Sequence, residues 1–166
     1  MKRIKNLELF HIHDDNFFHS NLWNVGNCFV IDNNYESLFG SEMEGLDRED
    51  AILSYDPIFR REIALEEIRK EKHPDIISRF HCIWLCDTKT LSYWIGQLPG
   101  KVYRVSATGI IFESSDNFLC GEEDRPYDEI KKDCYKYWEA PFNTEMDYYK
   151  KEILFQGKIK VLERND

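Results

Sequence analysis

The sequence predicts an α+β domain, with strands mostly antiparallel or mixed and helices laid against the sheet. Three observations carry that expectation. Segments of period-two alternation and of helical spacing follow one another without the strict strand-helix alternation of a parallel sheet. No glycine-rich phosphate loop follows any strand, which sets a doubly wound sheet aside. The chain has 166 residues, 42% hydrophobic and 14% aromatic, enough for one packed core and too few for several, so residues 1–166 read as a single domain.

The first strand is expected over Leu7–His13 (LELFHIH), which alternates and then stops at Asp14-Asp15-Asn16. Asn24–Ile31 reads as a second short extended piece, and Asp32–Asp47, polar and punctuated by glycine, as loop. Pro57–Lys72 is the clearest helix: Ile58, Ile63, Leu65 and Ile68 fall near helical spacing, and Pro57 suits a first turn. Its charged residues read as a solvated face. His73-Pro74 ends it, because the residue before proline avoids helical angles.

Ser78–Asp87, dense in aromatic, β-branched and cysteine residues, is expected to be a buried strand opened by Ser78-Arg79. Thr90–Gln97 reads as a short helix, and Pro99-Gly100 as a turn. Lys101–Ser106 and Gly109–Glu113 read as two further strands. Tyr127–Glu139 suits an amphipathic helix with Ile130, Cys134, Tyr137 and Trp138 inward. Glu152–Glu163 alternates on both sides of Gly157, as a hairpin or strand pair would.

The formal net charge of −9 argues against a general nucleic-acid coat or an anionic-membrane binder. The start lacks the apolar stretch of a secretory signal, and no apolar run is long enough to span a bilayer. A cytoplasmic protein with no membrane partner is the expectation. Five cysteines (Cys28, Cys82, Cys86, Cys120, Cys134) show no ribbon or redox spacing, so no disulfide framework is implied. Cys82 and Cys86 read as core packing, and nothing marks Cys28, Cys82 or Cys120 as an activated nucleophile. His11 and His13 share a strand face near Asp14, Asp15 and His19, but no ligand geometry follows, and no metal is expected.

Three polar groups stand where a core strand normally forbids them. They are His11 inside LFHIH, Ser78-Arg79 before the most apolar segment, and Glu152 at the start of EILF. Each also has a structural explanation: a satisfied strand histidine, an arginine paired at a sheet rim, a charge at a strand start.

Taken together with Trp23-Asn24-Val25-Gly26, these positions resemble the ADP-ribosyltransferase superfamily. More narrowly, the blocks Pro74–Leu85, Val102–Gly109, Tyr137-Trp138 and Glu152–Glu163 are similar to those of a small bacterial family of unknown function assigned to that superfamily. The resemblance implies a split, mostly antiparallel sheet with flanking helices, whose central cleft binds NAD as substrate. It implies that His11 holds a ribose or the nicotinamide end, that Ser78 and Arg79 shape the nicotinamide pocket, and that Glu152 contacts the nicotinamide ribose. Tyr93, Trp94 and Tyr103 are weaker candidates for walling the pocket.

The residue types suit glycosidic cleavage. A carboxylate is favoured beside an oxocarbenium-like centre, and an arginine would balance a pyrophosphate. Lys150-Lys151-Glu152 departs from the E-x-E pattern of arginine-modifying members, so the acceptor is left open. The resulting expectation is a bacterial or phage mono-ADP-ribosyltransferase acting on an unidentified macromolecule, protein rather than nucleic acid. An inactive binding or inhibitory module and an NAD glycohydrolase are the alternatives.

Overall fold

The computed structural model describes residues 1–14, 16, 19–43, 49, 56–119 and 125–165. It is an α+β fold with a mostly antiparallel five-stranded sheet and flanking helices. The strands are β1 (Lys2–His13), β2 (Cys28–Ile31), β3 (Ile83–Leu85), β4 (Lys101–Ser115) and β5 (Lys151–Asn165). The helices are α1 (Leu38–Met43), α2 (Pro57–Lys72), α3 (Leu91–Gln97), α4 (Tyr127–Glu139) and α5 (Glu145–Tyr149).

β4 and β5 form the spine, paired antiparallel from Val102↔Asn165 to Ser115↔Lys151. β1 lies on the outer side of β4, while β2 and β3 share the far edge of β5, at Gly157–Lys160 and Ile153–Phe155. The sheet curls until Phe10 and Cys86 exchange two backbone hydrogen bonds of 2.9 Å, tying β1 to the residue after β3.

Period-two alternation sends the two sides of the spine to two cores. Tyr103, Val105, Ala107, Phe155, Ile159 and Val161 pack with Leu9 and Trp23 on one side. Phe112 and Leu154 meet α2 and α4 on the other, against Leu65, Ile68, Ile130, Cys134, Tyr137 and Trp138. The Trp138 indole N–H donates to the Leu65 carbonyl at 2.8 Å and fixes the two helices against each other.

The four inward positions expected of α4 are all buried. Helix α2 begins as its sequence foretells: Asp56 accepts from the Ile58 amide at 2.8 Å, and Pro57 occupies the first turn. Its buried face differs. Ile58 is exposed, whereas Glu62 and Glu66 are buried with Ala64, Leu65 and Ile68. The charged residues of α2 are therefore not all a solvated face: Glu62 meets Arg79 from the turn that follows, and Glu66 meets the Ser78 hydroxyl and Arg69 of its own helix.

Several other expectations are corrected. The first strand begins at Lys2, with a register shift between Ile4 and Leu7 where Asn6 has φ 51°. Asn24–Ile31 is strand only over Cys28–Ile31. The segment read as loop holds α1, while 44–47 lie outside the described residues. Ser78-Arg79 does not open a strand: Arg79–His81 is a 3-10 turn, and β3 spans Ile83–Leu85 alone.

The two strands expected over 101–113 are one, and so is the expected hairpin over 152–163. The reason is Gly157. With φ 141° it faces Gly109 across the ladder, and a Cβ on either would come within 2.6 Å of opposing backbone. The glycine that reads as a turn is a place where two long strands touch.

Candidate functional site

The site begins at the turn Arg79–His81, which the local chain fixes from three sides. Ser78 caps it, accepting from the Phe80 amide at 3.1 Å, and donates to Glu66 at 2.9 Å. Glu66 is itself clasped by the Arg69 fork, with both bonds at 2.8 Å. Ser37, just before α1, donates to the Arg79 carbonyl at 2.8 Å while its amide donates to Phe80 at 2.9 Å. Gly40 permits this approach, since a Cβ there would fall 2.2 Å from the Phe80 carbonyl oxygen.

The Arg79 side chain runs into the space between sheet and helices. Its Nε and Nη2 donate to the two oxygens of Glu62, at 2.8 and 3.2 Å, and its Nη1 donates to Glu152 Oε1 at 2.5 Å and to the Tyr137 hydroxyl at 2.6 Å. The Tyr137 hydroxyl donates in turn to Glu152 Oε1. The guanidinium lies 4.9, 5.3 and 5.7 Å from the ring centres of Tyr137, Trp84 and Phe39, an arrangement that stabilises a desolvated cation. Burial works against the charge of Arg79, but Glu62, Tyr137 and Glu152 raise its affinity for the proton well above the ordinary value.

The two carboxylates on Arg79 are unlike. Burial alone would raise Glu62, but the charges of Arg79 and Arg61 and their hydrogen bonds hold it below the ordinary carboxylate value. For Glu152 burial wins, and its value is raised despite the pull of Arg79 and Tyr137. Both donors to Glu152 go to Oε1, so Oε2 has no hydrogen-bond partner among the described residues.

Beside this network opens a cavity of about 480 Å³. Phe10, Phe39, Trp84, Trp94 and Leu98 give it flat apolar walls, and Arg79, Glu152 and His11 line it too. His11 comes from β1, with its ring stacked on Trp23 at 4.0 Å and 18°. Its Nδ1–H donates to the Trp84 carbonyl at 2.8 Å, which leaves Nε2 as an acceptor. Burial lowers its pKa to about 3, so the imidazole is neutral at physiological pH. The Trp94 indole N–H donates to the Lys151 carbonyl at 2.8 Å, which sets that ring beside the start of β5 and hence beside Glu152.

Four of the residues singled out by sequence therefore share one cavity: His11, Arg79, Trp94 and Glu152. Three stand outside its lining. Ser78 is turned to Glu66, and Tyr103 is buried against Trp23 and His13. Tyr93 donates to Asp116, which does line the cavity, at 2.5 Å. Arg79 is already matched by two carboxylates, so the role it fits is orienting Glu152 rather than balancing a pyrophosphate. Lys151, next to Glu152 in the chain, is held by Asp87 at 2.7 Å and Glu113 at 3.2 Å.

The thiols Cys82 and Cys86 are buried as expected and pushed up by burial, the second to about 12, which keeps them protonated. Cys120 and Asp15, weighed as a nucleophile and a ligand, lie outside the described residues. Among the described residues no helix is long and apolar enough to cross a membrane.

Sequence reasoning missed Glu62, Phe39, Trp84 and the hydroxyl of Tyr137. Two of these left a trace. Glu62 and Glu66 are four apart on the stripe that carries Leu65, and a tyrosine on the inward face of a helix needs a partner for its hydroxyl. The arrangement can hold a flat ring between aromatic walls, offer a carboxylate oxygen to a hydroxyl or an electron-poor carbon, and do so beside a neutral imidazole acceptor.

A family model described as Protein of unknown function (DUF2441) matches residues 50–166. Arg79, Trp84, Trp94, Tyr137 and Glu152 fall inside the matched region, and His11 and Phe39 precede it. No curated protein matches the chain.

Proposed function

The chain belongs to the DUF2441 family, and from that starting point we propose that it is an NAD-dependent mono-ADP-ribosyltransferase working through Glu152. The observation that carries the reading is convergence. His11, Arg79 and Glu152 come from β1, a 3-10 turn and β5, and all line one flat-walled cavity. Arg79 and Glu152, paired at 2.5 Å, are 73 residues apart. The flat walls suit the nicotinamide ring, and His11 Nε2 suits a hydroxyl or amide donor of the dinucleotide. The free Oε2 of Glu152 suits the ribose beside the breaking bond.

In this reading the bond between the ribose anomeric carbon and the nicotinamide nitrogen breaks, and its electron pair leaves with nicotinamide. Positive charge develops on the ribose, where an ionised Glu152 stabilises it. A nucleophilic atom of the acceptor then bonds to the anomeric carbon and releases its proton to water. The chain's charge of −9 favours a protein acceptor over a nucleic acid.

The test is labelled NAD incubated with bacterial lysate, comparing the wild type with Glu152→Gln. Label transfer is expected to fall by about 10²-fold or more. Equal transfer by both overturns the assignment, and nicotinamide release without macromolecular label moves the reading to NAD hydrolysis. Because Glu152 must be ionised and its affinity for protons is raised, the rate should climb with pH through a midpoint above the ordinary carboxylate range. His11, neutral above about 3, should add no inflection near its unperturbed 6.5.

A further inference from the structure

Besides Arg79, Glu152 is set by two residues outside the cavity's lining. Tyr137 reaches it from α4, and Glu62, from α2, reaches it through Arg79. We propose that Tyr137 and Glu62 are positioning residues with opposed effects: Tyr137 ties up one oxygen of Glu152 and presents the other to a ligand, while Glu62 claims the Arg79 fork and limits what Arg79 gives Glu152. The geometry is asymmetric in the sense this requires. Glu62 takes two of the three Arg79 contacts to carboxylate and a further pair from Arg61, at 2.9 and 3.2 Å. Glu152 takes a single Arg79 bond and completes the same oxygen with the Tyr137 hydroxyl.

The consequence is a site that is switched on by rising pH at a point these two residues set. Arg79 and Tyr137 favour the ionised form of Glu152, while burial, Asp116 and Glu62 oppose it. The Cys82 thiol and the Tyr93 hydroxyl also sense its charge. His11, on the same cavity, is neutral, and Lys151, next in the chain, is occupied by Asp87 and Glu113. Removing the Tyr137 hydroxyl should therefore make Glu152 harder to ionise, and neutralising Glu62 should make it easier.

That Glu152 is the working carboxylate rests on the function proposed above, but its positioning can be read without NAD. The experiment is a carbon-13 titration of glutamate-labelled protein, with the Glu152 signal assigned by its loss in Glu152→Gln. Tyr137→Phe, which keeps the ring, is expected to move the Glu152 midpoint up by about one pH unit, and Glu62→Gln to move it down by a similar amount. An unmoved midpoint in Tyr137→Phe, or an upward one in Glu62→Gln, overturns the inference.

Should either variant fail to fold, the wild type still decides, since the Tyr137 ring carbon bearing the hydroxyl must titrate at the Glu152 midpoint. A Tyr137 signal flat through that pH would sink the idea. In the labelling assay the acid limb of Tyr137→Phe should shift with its carbon-13 midpoint. Shifted midpoints without NAD cleavage by any variant would remove the NAD reading alone.

Discussion

Two arginines in this protein each bridge two glutamates, one in water and one out of it. On the outer surface Arg104 of β4 reaches Glu8 of β1 at 2.8 Å and Glu163 of β5 at 2.9 Å, with side chains 34%, 60% and 49% exposed. Inside, Arg79 reaches Glu62 and Glu152, with side chains 4%, 0% and 4% exposed. Each arginine stands between two carboxylates, and in the buried group Arg61 adds a second cation on Glu62. Around Arg104 the charges are screened and hydrated, so the trio does little beyond decorating a three-strand ladder. Around Arg79 water is excluded, Glu62 keeps two cations, and burial shows in the less well-held Glu152 as a raised affinity for a proton. Burial turns the same bridge from a surface ornament into a responsive group.

The largest expected contrast comes from removing the two arginines. Arg79→Met strands Glu62 without its main cation and is expected to cost about 3–5 kcal/mol in urea unfolding. Arg104→Met should be hard to distinguish from the wild type, and comparable losses in the two variants would erase the comparison.

Next in size is Glu152→Gln, where the sign depends on pH. Glu62, with its value lowered, contributes stability that is present above the ordinary carboxylate pKa and lost as pH falls through its own lower one. Glu152, with its value raised, contributes stability that is full below the ordinary carboxylate pKa and lost as pH rises through its higher one. The neutral glutamine escapes that loss. At pH 8 the variant should equal or exceed the wild type in unfolding free energy, by on the order of 1 kcal/mol, while losing activity. A clear drop at pH 8 would make Glu152 a stabilising partner instead. The smallest effect is ionic: 1 M salt should erase any residual difference between Arg104→Met and the wild type and leave the Arg79→Met deficit in place.

Local signals in the sequence reached some of these elements and not others. The stripe Ile130, Cys134, Tyr137, Trp138 is complete within one helix, and it emerged as read. Asp56-Pro57 likewise announces α2 through bonds made within two residues. The partners of α2's buried carboxylates are farther off: Ser78 lies 12 residues from Glu66, and Arg79 lies 17 from Glu62. A run of alternating charge cannot reveal which of its members will meet a cation that only the tertiary fold delivers. β4 reads as broken at 107–108, just before Gly109, and β5 at Gly157 for the same reason, since what demands the two glycines is the opposite strand. At the site, His11, Arg79 and Glu152 were legible as polar groups in apolar surroundings. Tyr137 was legible only as core, because its hydroxyl's two partners lie 15 and 58 residues away.

The order of pairing in the sheet bears on how the protein is made. β1 pairs with β4, and β2 and β3 pair with β5, so each of the first three strands waits for a partner that leaves the ribosome after it. During synthesis Phe10, Phe29 and Trp84 emerge long before the spine that shelters them, and the nascent chain carries unpaired strands with apolar faces for most of its translation. A chain built in this order is most open to misassociation before β5 has emerged, and slowing translation late in the message would lengthen that exposure without changing a single native contact.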